Sequence, residues 1–357
     1  MNFDEDRERV RAASPILDVV LEYGVDVKQK GSAFWALCPF HDEKTPSFKI
    51  DPERESYHCF GSCAEHGDVF SFVERIADTN FPGALRILAD RSGIELKGSG
   101  YDPAASRRTR KQQERNLELL ERSKKWFEAQ LWSARGAPVR EYLDGRGFSE
   151  KTLRRFGVGF APAEWNALTE RIAGERDGID SALLLGLLRL SRDGSRHHDY
   201  FRNRVMFPIR GIQGKVVGFG GRDLGGDDAS KYINSPDSSI FHKGQLLYGL
   251  EESRKEIRLS RQVMLMEGYT DVMMAAQVIE GLEEAERRKI PSPVATMGTS
   301  LTEENVGQLA KRANKVWLLF DGDTAGKNAA IKAAKLFLKF PSTEAFVVLL
   351  AGGGRSL

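Results

Sequence analysis

The feature that most constrains this chain is a cluster of cysteines and a histidine near its N terminus. All three cysteines of the chain, Cys38, Cys59 and Cys63, fall within 26 residues, and His41 stands three positions after the first. Two short-spaced ligand pairs, separated by a hairpin, present four donors tetrahedrally to zinc. We therefore predict one structural zinc ion held by these four residues.

Two alternatives stay open at this point. Free cysteines are often buried as small apolar side chains, so the three could simply fill a core. His58 and His66 lie in the same stretch, and spacing alone allows either of them to replace Cys63 as the fourth ligand.

Composition and charge limit the rest of the protein. A chain of 357 residues is expected to form two or three domains. The N terminus is charged and no apolar run approaches the roughly 20 residues of a membrane span, which predicts a cytoplasmic protein without a membrane partner. The net charge is only +2, so nucleic-acid binding would depend on local basic patches.

Apolar periodicity divides the chain into segments. Residues 69–89 carry apolar side chains at helical spacing and close a first unit, predicted as residues 1–97. The stretch KGSGYDPAASRRTRKQQ follows, and its glycine, serine and basic content predicts a flexible basic linker over 98–114. A long helix over 114–132 and a β-hairpin around 211–214 come next.

Several strings near the cysteines identify a family. CPFHDEKTPSFKI, YHCFG and GDVFSFV resemble the N-terminal zinc ribbon of bacterial replicative DNA primases over most of residues 14–96. One departure is the spacing of CFGSC, where the family usually has two residues between the cysteines instead of three. The resemblance implies a zinc-binding domain that contacts single-stranded DNA.

Aromatic and basic residues alternate around the predicted zinc ligands. Rings beside lysines on a sheet can stack unpaired bases, although a small core accounts for most such rings. The residues concerned are Phe34, Trp35, Phe40, Lys44, Phe48, Lys49, Tyr57 and Phe60.

Acidic residues follow two apolar strands in the last third of the chain. Glu267 follows a predicted strand at 263–266, and Asp321 and Asp323 follow another at 316–320. Because parallel strands place their carboxyl ends at one crevice, these acids are expected to converge there. Such carboxylates bind Mg²⁺ or Mn²⁺, which predicts a phosphoryl-transfer site. Asp271 is a further candidate ligand or a brace for the others.

EGYTDV and DGDTAGKNAA resemble the two signatures of the TOPRIM fold, which primases share with topoisomerases and some nucleases. The upstream strings, including REYLDGRGFSEKTLRRFGVGF and KYINSPDSSIFHKGQLLYGL, resemble the bacterial primase core. The fold class implied is a multidomain α/β and α+β protein: a zinc ribbon, a basic core subdomain over 115–255 and a TOPRIM parallel sheet over 256–357. Candidate phosphate and nucleotide contacts are Arg202, Asn203, Arg204, Lys215, Arg222, Lys231 and Lys243.

The resemblance implies synthesis of RNA primers from ribonucleoside triphosphates on a single-stranded DNA template, with two or more catalytic Mg²⁺ or Mn²⁺ ions. Glu267, Asp321 and Asp323 would hold these ions. In the family, a further acidic cluster and a domain that contacts the replicative helicase follow the position where this sequence ends in AGGGRSL. The alternative function is therefore a catalytically silent protein that only binds single-stranded DNA.

Overall fold

The structure is a computed structural model. It describes residues 3–31, 33–41, 43, 45–61, 63–77, 79–96, 103–174, 178–191, 193–211, 213–225, 230–298, 300–321 and 324–350. The chain divides into two compact units, Met1–Gln112 and Gln113–Leu357. Within the described residues, no helix is both long enough and apolar enough to cross a lipid bilayer.

The first unit combines a five-stranded antiparallel sheet, in the order β1-β2-β3-β4-β5, with four helices among its described residues. Its elements are α1 (Phe3–Ala12), α2 (Ile16–Glu22), β1 (Val27–Lys30), β2 (Ala33–Ala36), β3 (Phe48–Asp51), β4 (Ser56–Cys59), β5 (His66–Gly67), α3 (Val69–Ile76) and α4 (Phe81–Ser92).

Alternation along β3 and β4 sends one set of side chains into this unit's core. Phe48, Ile50 and Tyr57 are buried there and pack with α3 and α4. Helix α3 begins where the Asp68 carboxylate accepts hydrogen bonds from the first-turn N–H groups, and α4 ends at Gly93 in the left-handed region. The predicted helical pattern over 69–89 is confirmed.

A long helix, α5 (Pro103–Trp132), follows, and the boundary between the two units falls within it. The sequence predicted a flexible linker over 98–114. Residues 103–114 are helical instead, because a basic segment without proline after its first residue can extend the helical periodicity of 114–132. Residues 97–102 lie outside the described part of the chain.

The second unit contains two larger sheets and a two-stranded ribbon. Its elements are α6 (Ala137–Gly145), α7 (Glu150–Phe156), β6 (Gly159–Ala161), α8 (Ala167–Ile172), α9 (Gly178–Leu184), β7 (Leu188–Leu190), β8 (His197–Asp199), β9 (Arg204–Arg210), β10 (Val216–Asp223), β11 (Tyr232–Asn234), α10 (Arg254–Ser260), β12 (Gln262–Met266), α11 (Tyr269–Glu280), α12 (Glu284–Arg287), β13 (Ser292–Ala295), α13 (Glu303–Arg312), β14 (Lys315–Asp321), α14 (Thr324–Phe337) and β15 (Glu344–Leu350).

The antiparallel sheet of this unit has the order β11-β10-β9-β6. Strands β9 and β10 form the predicted hairpin, with Arg210 opposite Val216 near the turn and Arg204 opposite Asp223 at the far end. Both strands are almost entirely buried, because side chains from two apolar clusters of this unit pack on them.

The second sheet is the predicted parallel one, in the order β13-β12-β14-β15. Val263 pairs with Ser292 on one side and with Val316 on the other, and β15 extends the sheet beside β14. Helices cover its apolar strands and bury Leu265 and Leu318. All four strands therefore end at the same edge of the sheet.

Candidate zinc centre and candidate active site

The first unit gathers the predicted zinc ligands at one end of its sheet. Cys38 follows β2, Cys59 is the last residue of β4, and His41 and Cys63 lie in the turns that come next. The four ligand atoms all lie within 4.8 Å of one another. A C-x3-C turn thus brings Cys63 to the site as well as Cys59.

The distances fit one tetrahedral zinc ion. Cys38 Sγ lies 3.6 Å from Cys63 Sγ, and Cys59 Sγ lies 3.7 Å from His41 Nδ1. Ordinary zinc–sulfur and zinc–nitrogen bonds give tetrahedral edges of about 3.6 to 3.8 Å. Two of the six separations between ligand atoms therefore match a tetrahedral zinc site and all six lie within 4.8 Å, which simple burial of the cysteines does not explain.

The two rival histidines lie outside this tetrad. His58 and His66 are exposed and face each other across β4 and β5, with ring centroids 5.7 Å apart. Side-chain alternation explains the difference, because Cys59 points to the buried side of β4 and His58 to the opposite side.

The electrostatics of the thiols also favour a cation. Burial raises the pKa of Cys38 and of Cys63. Burial acts in the same direction on Cys59, but hydrogen bonds from the Ser47 hydroxyl and from Cys63 outweigh it and lower its pKa. Zinc allows all three to be thiolates together, because its charge compensates theirs.

Most of the aromatic residues near the zinc ligands belong to the core. Phe48 and Tyr57 are buried, and Phe40 packs against both. Phe60 differs, because it is 63% exposed and its ring stacks on that of Trp35 with the centroids 5.9 Å apart. Lys44, which was predicted to accompany them, lies outside the described residues.

The parallel sheet places two of the predicted acids at a common edge. Glu267 follows the last residue of β12 directly and is exposed, and Asp321 is the last residue of β14. Strands β12 and β14 are parallel neighbours. The side chain of Asp321 lies outside the described part, so its placement here rests on the backbone of β14 alone. Asp323, the third predicted acid, lies wholly outside the described residues.

Asp271 lies in the first turn of α11, just after Glu267. Its carboxylate accepts a hydrogen bond of 3.1 Å from the backbone N–H of Gly268. This contact holds the turn that carries Glu267 against the start of the helix, which agrees with the bracing role considered from the sequence.

The loop after β13 joins the same edge. The backbone N–H of Gly298 donates to the carbonyl of Glu267 at 3.3 Å, and Met297 and Gly298 both have positive φ. The side chain of Asn234, the last residue of β11, donates to the Met297 carbonyl at 3.3 Å and accepts from the Tyr269 hydroxyl. Asn234 therefore joins the antiparallel sheet to the edge of the parallel sheet where Glu267 and Asp321 lie, called here the acidic edge.

Three of the predicted basic residues lie in segments that reach this edge. Arg222 is only 6% exposed and donates to the Tyr232 hydroxyl at 3.1 Å, so the phosphate contact expected for it is not available in this conformation. Lys231 immediately precedes β11 and is exposed. Lys243 lies in a short turn whose Gly244 carbonyl accepts from Thr302, the N-cap residue of α13. Burial lowers the pKa of Lys243, whereas the nearby Asp237 opposes that shift.

The structure does not gather the remaining basic residues with these three. Lys215 is exposed in the β9–β10 turn, at the opposite end of the hairpin from Arg222. Arg202 and Asn203 precede β9 and are tied to local carbonyls, those of Asp199 and Gly225.

Arg204 has a structural position that the sequence did not indicate. Its side chain is completely buried, and its guanidinium donates to the carbonyls of Gly221 and Ser230 at 3.2 and 3.1 Å. The phosphate contact expected for Arg204 is therefore not available in this conformation, since the side chain is enclosed by the sheet.

Strand β10 carries glycines at positions 218, 220 and 221. They are buried, and aromatic rings occupy the space beside them, which leaves the backbone no open approach to a nucleic-acid strand. A Cβ atom at Gly220 would lie 2.4 Å from the Tyr269 ring, and one at Gly218 would lie 2.6 Å from Phe241. Close sheet packing accounts for these glycines.

The sequence patterns did not indicate three residues that organise the two sites: Asn234, Tyr269 and Glu43. Each acts through hydrogen bonds between segments distant in sequence or within a loop, which periodicity does not reveal. The one available signal was position: each lies inside a string that resembles the primase family.

Family models match most of the chain. Residues 3–102 match the CHC2 zinc finger, residues 126–254 match the N-terminal domain of the DNA primase catalytic core, and residues 264–349 match a Toprim-like domain. The curated DNA primase of Halalkalibacterium halodurans is 40% identical over 330 residues, which cover 92% of this chain and 52% of that protein. The chain spans about half the length of the curated relatives it matches.

Solved structures agree with these matches. The Aquifex aeolicus primase, comprising its zinc-binding and RNA polymerase domains, is 33% identical with a TM-score of 0.58 over 98% of this chain and 80% of that one. A DnaG primase catalytic domain bound to single-stranded DNA is 35% identical with a TM-score of 0.61 over 68% and 75% of the two chains. By sequence and by fold, this chain belongs to the bacterial DnaG-type DNA primase family.

Proposed function

We propose that this protein synthesises short RNA primers on single-stranded DNA. The observation that carries the proposal is the position of Asn234, which holds the Lys231 segment against the edge where Glu267 and Asp321 end neighbouring parallel strands. Acids and cations in this arrangement suit phosphoryl transfer between nucleotides. Family membership supplies independent support.

The acids would hold divalent cations for the reaction. Glu267 is exposed at the sheet edge, and its turn is fixed on one side by Asp271 and on the other by the loop at Gly298. Mg²⁺ or Mn²⁺ held there would lower the pKa of a primer hydroxyl and neutralise the charge that develops on the departing pyrophosphate. The protein's own contribution is to keep its carboxylates in place before the substrate arrives.

The cationic segments would bind the triphosphate and the template near these acids. Lys231 and Lys243 offer point charges for phosphate. Arg222 is only 6% exposed and donates to Tyr232, so it braces the start of β11 instead of contacting phosphate. The partial burial of Lys243 strengthens its attraction for an anion, because less water screens it.

The solvent face of the zinc-bearing sheet would bind template as well. Neighbouring strands place Lys28, Trp35, Lys49 and His58 side by side across the sheet, and Phe60 stacks on Trp35. Stacking platforms flanked by cations are a common means of holding unpaired bases. The similarity to a primase catalytic domain bound to single-stranded DNA supports DNA as the template.

Primer synthesis on a single-stranded template, with Mg²⁺ or Mn²⁺, tests the proposal. Asp321→Ala and Glu267→Gln are expected to abolish dinucleotide formation while single-stranded DNA binding stays within about twofold, because cation binding and template binding use different residues. The matched control is Asp180→Asn, which changes an exposed acid of α9.

Retained synthesis in both acid variants would contradict the assignment of the site. Template binding without any synthesis by the unaltered chain would favour the alternative of a catalytically silent DNA-binding protein. Salt titration of template binding adds a further check, since Lys49→Ala should reduce the salt dependence and Arg54→Ala, an exposed change outside the cross-strand row, should not.

A further inference from the structure

The carboxylate of Glu43 lies at the centre of the first zinc knuckle. One oxygen, Oε2, is 3.1 Å from His41 Nε2. The other, Oε1, accepts the backbone N–H groups of Cys38 at 2.7 Å and of Ser47 at 3.0 Å. A single side chain therefore contacts two zinc ligands and closes the loop between β2 and β3.

We propose that Glu43 is a positioning residue of the zinc centre, which makes His41 bind zinc through Nδ1 and ties the two ligand pairs together.

The orientation of the His41 ring supports the first part. Its Nδ1 is the nitrogen that faces Cys59 Sγ at 3.7 Å, on the metal side of the ring. A neutral imidazole has one N–H and one lone pair. Because a carboxylate can only accept, Glu43 selects the tautomer with the proton on Nε2 and leaves the Nδ1 lone pair for zinc.

Ser47 supports the second part. Its N–H is held by Glu43, its hydroxyl lies 3.4 Å from Cys59 Sγ, and its carbonyl accepts from the Phe60 N–H at 2.9 Å. Glu43 is thus linked to the first ligand pair directly and to the second pair through Ser47. Loss of the carboxylate should loosen both pairs.

The contact between Glu43 and His41 is shielded from solvent. The Glu43 side chain and that of His41 are only 12% and 11% exposed, so water has little access to the contact. A Cβ atom at Gly61 would lie 2.5 Å from His41 Nε2, which shows how closely the opposite wall approaches the ring.

Zinc affinity of the full chain, measured by competition with a chromophoric chelator, gives the first test. Glu43→Gln and Glu43→Ala are expected to weaken zinc binding by roughly 10- to 100-fold, the range typical for partners of a ligating histidine. Glu53→Gln, an exposed glutamate in the turn between β3 and β4, is the matched control and should leave the affinity unchanged.

The second test separates orientation of His41 from simple support of the loop. In zinc-saturated protein labelled with ¹⁵N-histidine, the wild-type His41 signals should show a metal-bound Nδ1 and a protonated Nε2. In Glu43→Gln the amide oxygen can still serve the backbone N–H groups, but the amide then offers no acceptor to Nε2. His41 should therefore give broadened signals or signals from both ligation modes.

Two results would overturn the inference. One is a zinc affinity of both Glu43 variants within twofold of the wild type. The other is a Glu43→Gln spectrum that keeps the wild-type His41 pattern, which would reduce Glu43 to a support of the loop backbone.

Discussion

At the scale of single residues, the zinc centre depends on side chains that leave no room for larger neighbours. Gly61 is the clearest case. It follows Cys59 by two positions, and its N–H donates to the Cys59 sulfur at 3.3 Å. Since His41 and Ser47 occupy the space where a Cβ atom would be, only glycine lets this turn approach them.

We expect Gly61→Ala to weaken zinc binding by at least tenfold, because the new methyl group would displace a ring that both Glu43 and zinc must hold. Chelator competition measures the change. Gly145→Ala, where no atom lies within 4 Å of the added carbon, should have the affinity of the wild type. Equal affinities for the two variants would contradict this account of Gly61.

Arg204 illustrates a basic residue whose role is stability. We expect Arg204→Met to lower the free energy of unfolding by about 1 to 3 kcal/mol, because the buried carbonyl of Gly221 and the carbonyl of Ser230 lose their donor. Urea denaturation measures the loss. Lys215→Met, an exposed change on the same hairpin, should stay within about 0.5 kcal/mol of the wild type. An Arg204 variant that is fully stable but binds DNA poorly would contradict this role and support the phosphate contact expected from the sequence.

At the scale of elements, the start of α11 connects the two sheets of the second unit. Tyr269 is buried. Its ring stacks on that of Phe207 in β9, with centroids 5.0 Å apart, and meets the Tyr248 ring edge-on, with centroids 4.7 Å apart. Its hydroxyl binds Asn234 at the end of β11. The turn that carries Glu267 is therefore held by packing from the neighbouring sheet as well as by its own helix.

Gly220→Ala should disturb this connection, because the added methyl group would overlap the Tyr269 ring. We expect a loss of about 1 to 3 kcal/mol in stability, as is usual for overpacked cores. We also expect primer synthesis to fall at temperatures where the variant is folded. Gly174→Ala, in open space, is the control. Wild-type stability together with wild-type synthesis would show that β10 shifts at Gly220 and accommodates the added methyl group.

At the scale of the whole molecule, each compact unit has its own core. The first unit has one apolar cluster, built around Phe48, Phe70 and Phe72. The second unit has three such clusters among its described residues. The zinc ligands belong entirely to the first unit, whereas the proposed catalytic acids belong to the second.

Chelation of zinc should therefore unfold the first unit selectively. Structural zinc contributes on the order of 10 kcal/mol to units of this kind, which a small core cannot replace. Limited proteolysis with a chelator present should degrade residues 3–96 and spare a fragment that begins near residue 113. Cys59→Ser should behave like the chelated wild type. Equal protection of both units after zinc removal would contradict this expectation.

The sequence by itself determined the short-range spacing of Cys38, His41 and Cys59, the β9–β10 hairpin and the parallel sheet with Glu267 after one of its strands. These features follow from short-range spacing and from side-chain periodicity, which act over a few residues. Tertiary structure alone decided that Arg204 is buried, that Lys215 is far from Arg222 along the hairpin, and that Asn234 reaches the acidic edge. Burial and hydrogen bonding between distant segments depend on which surfaces meet in the fold, and no local pattern encodes that.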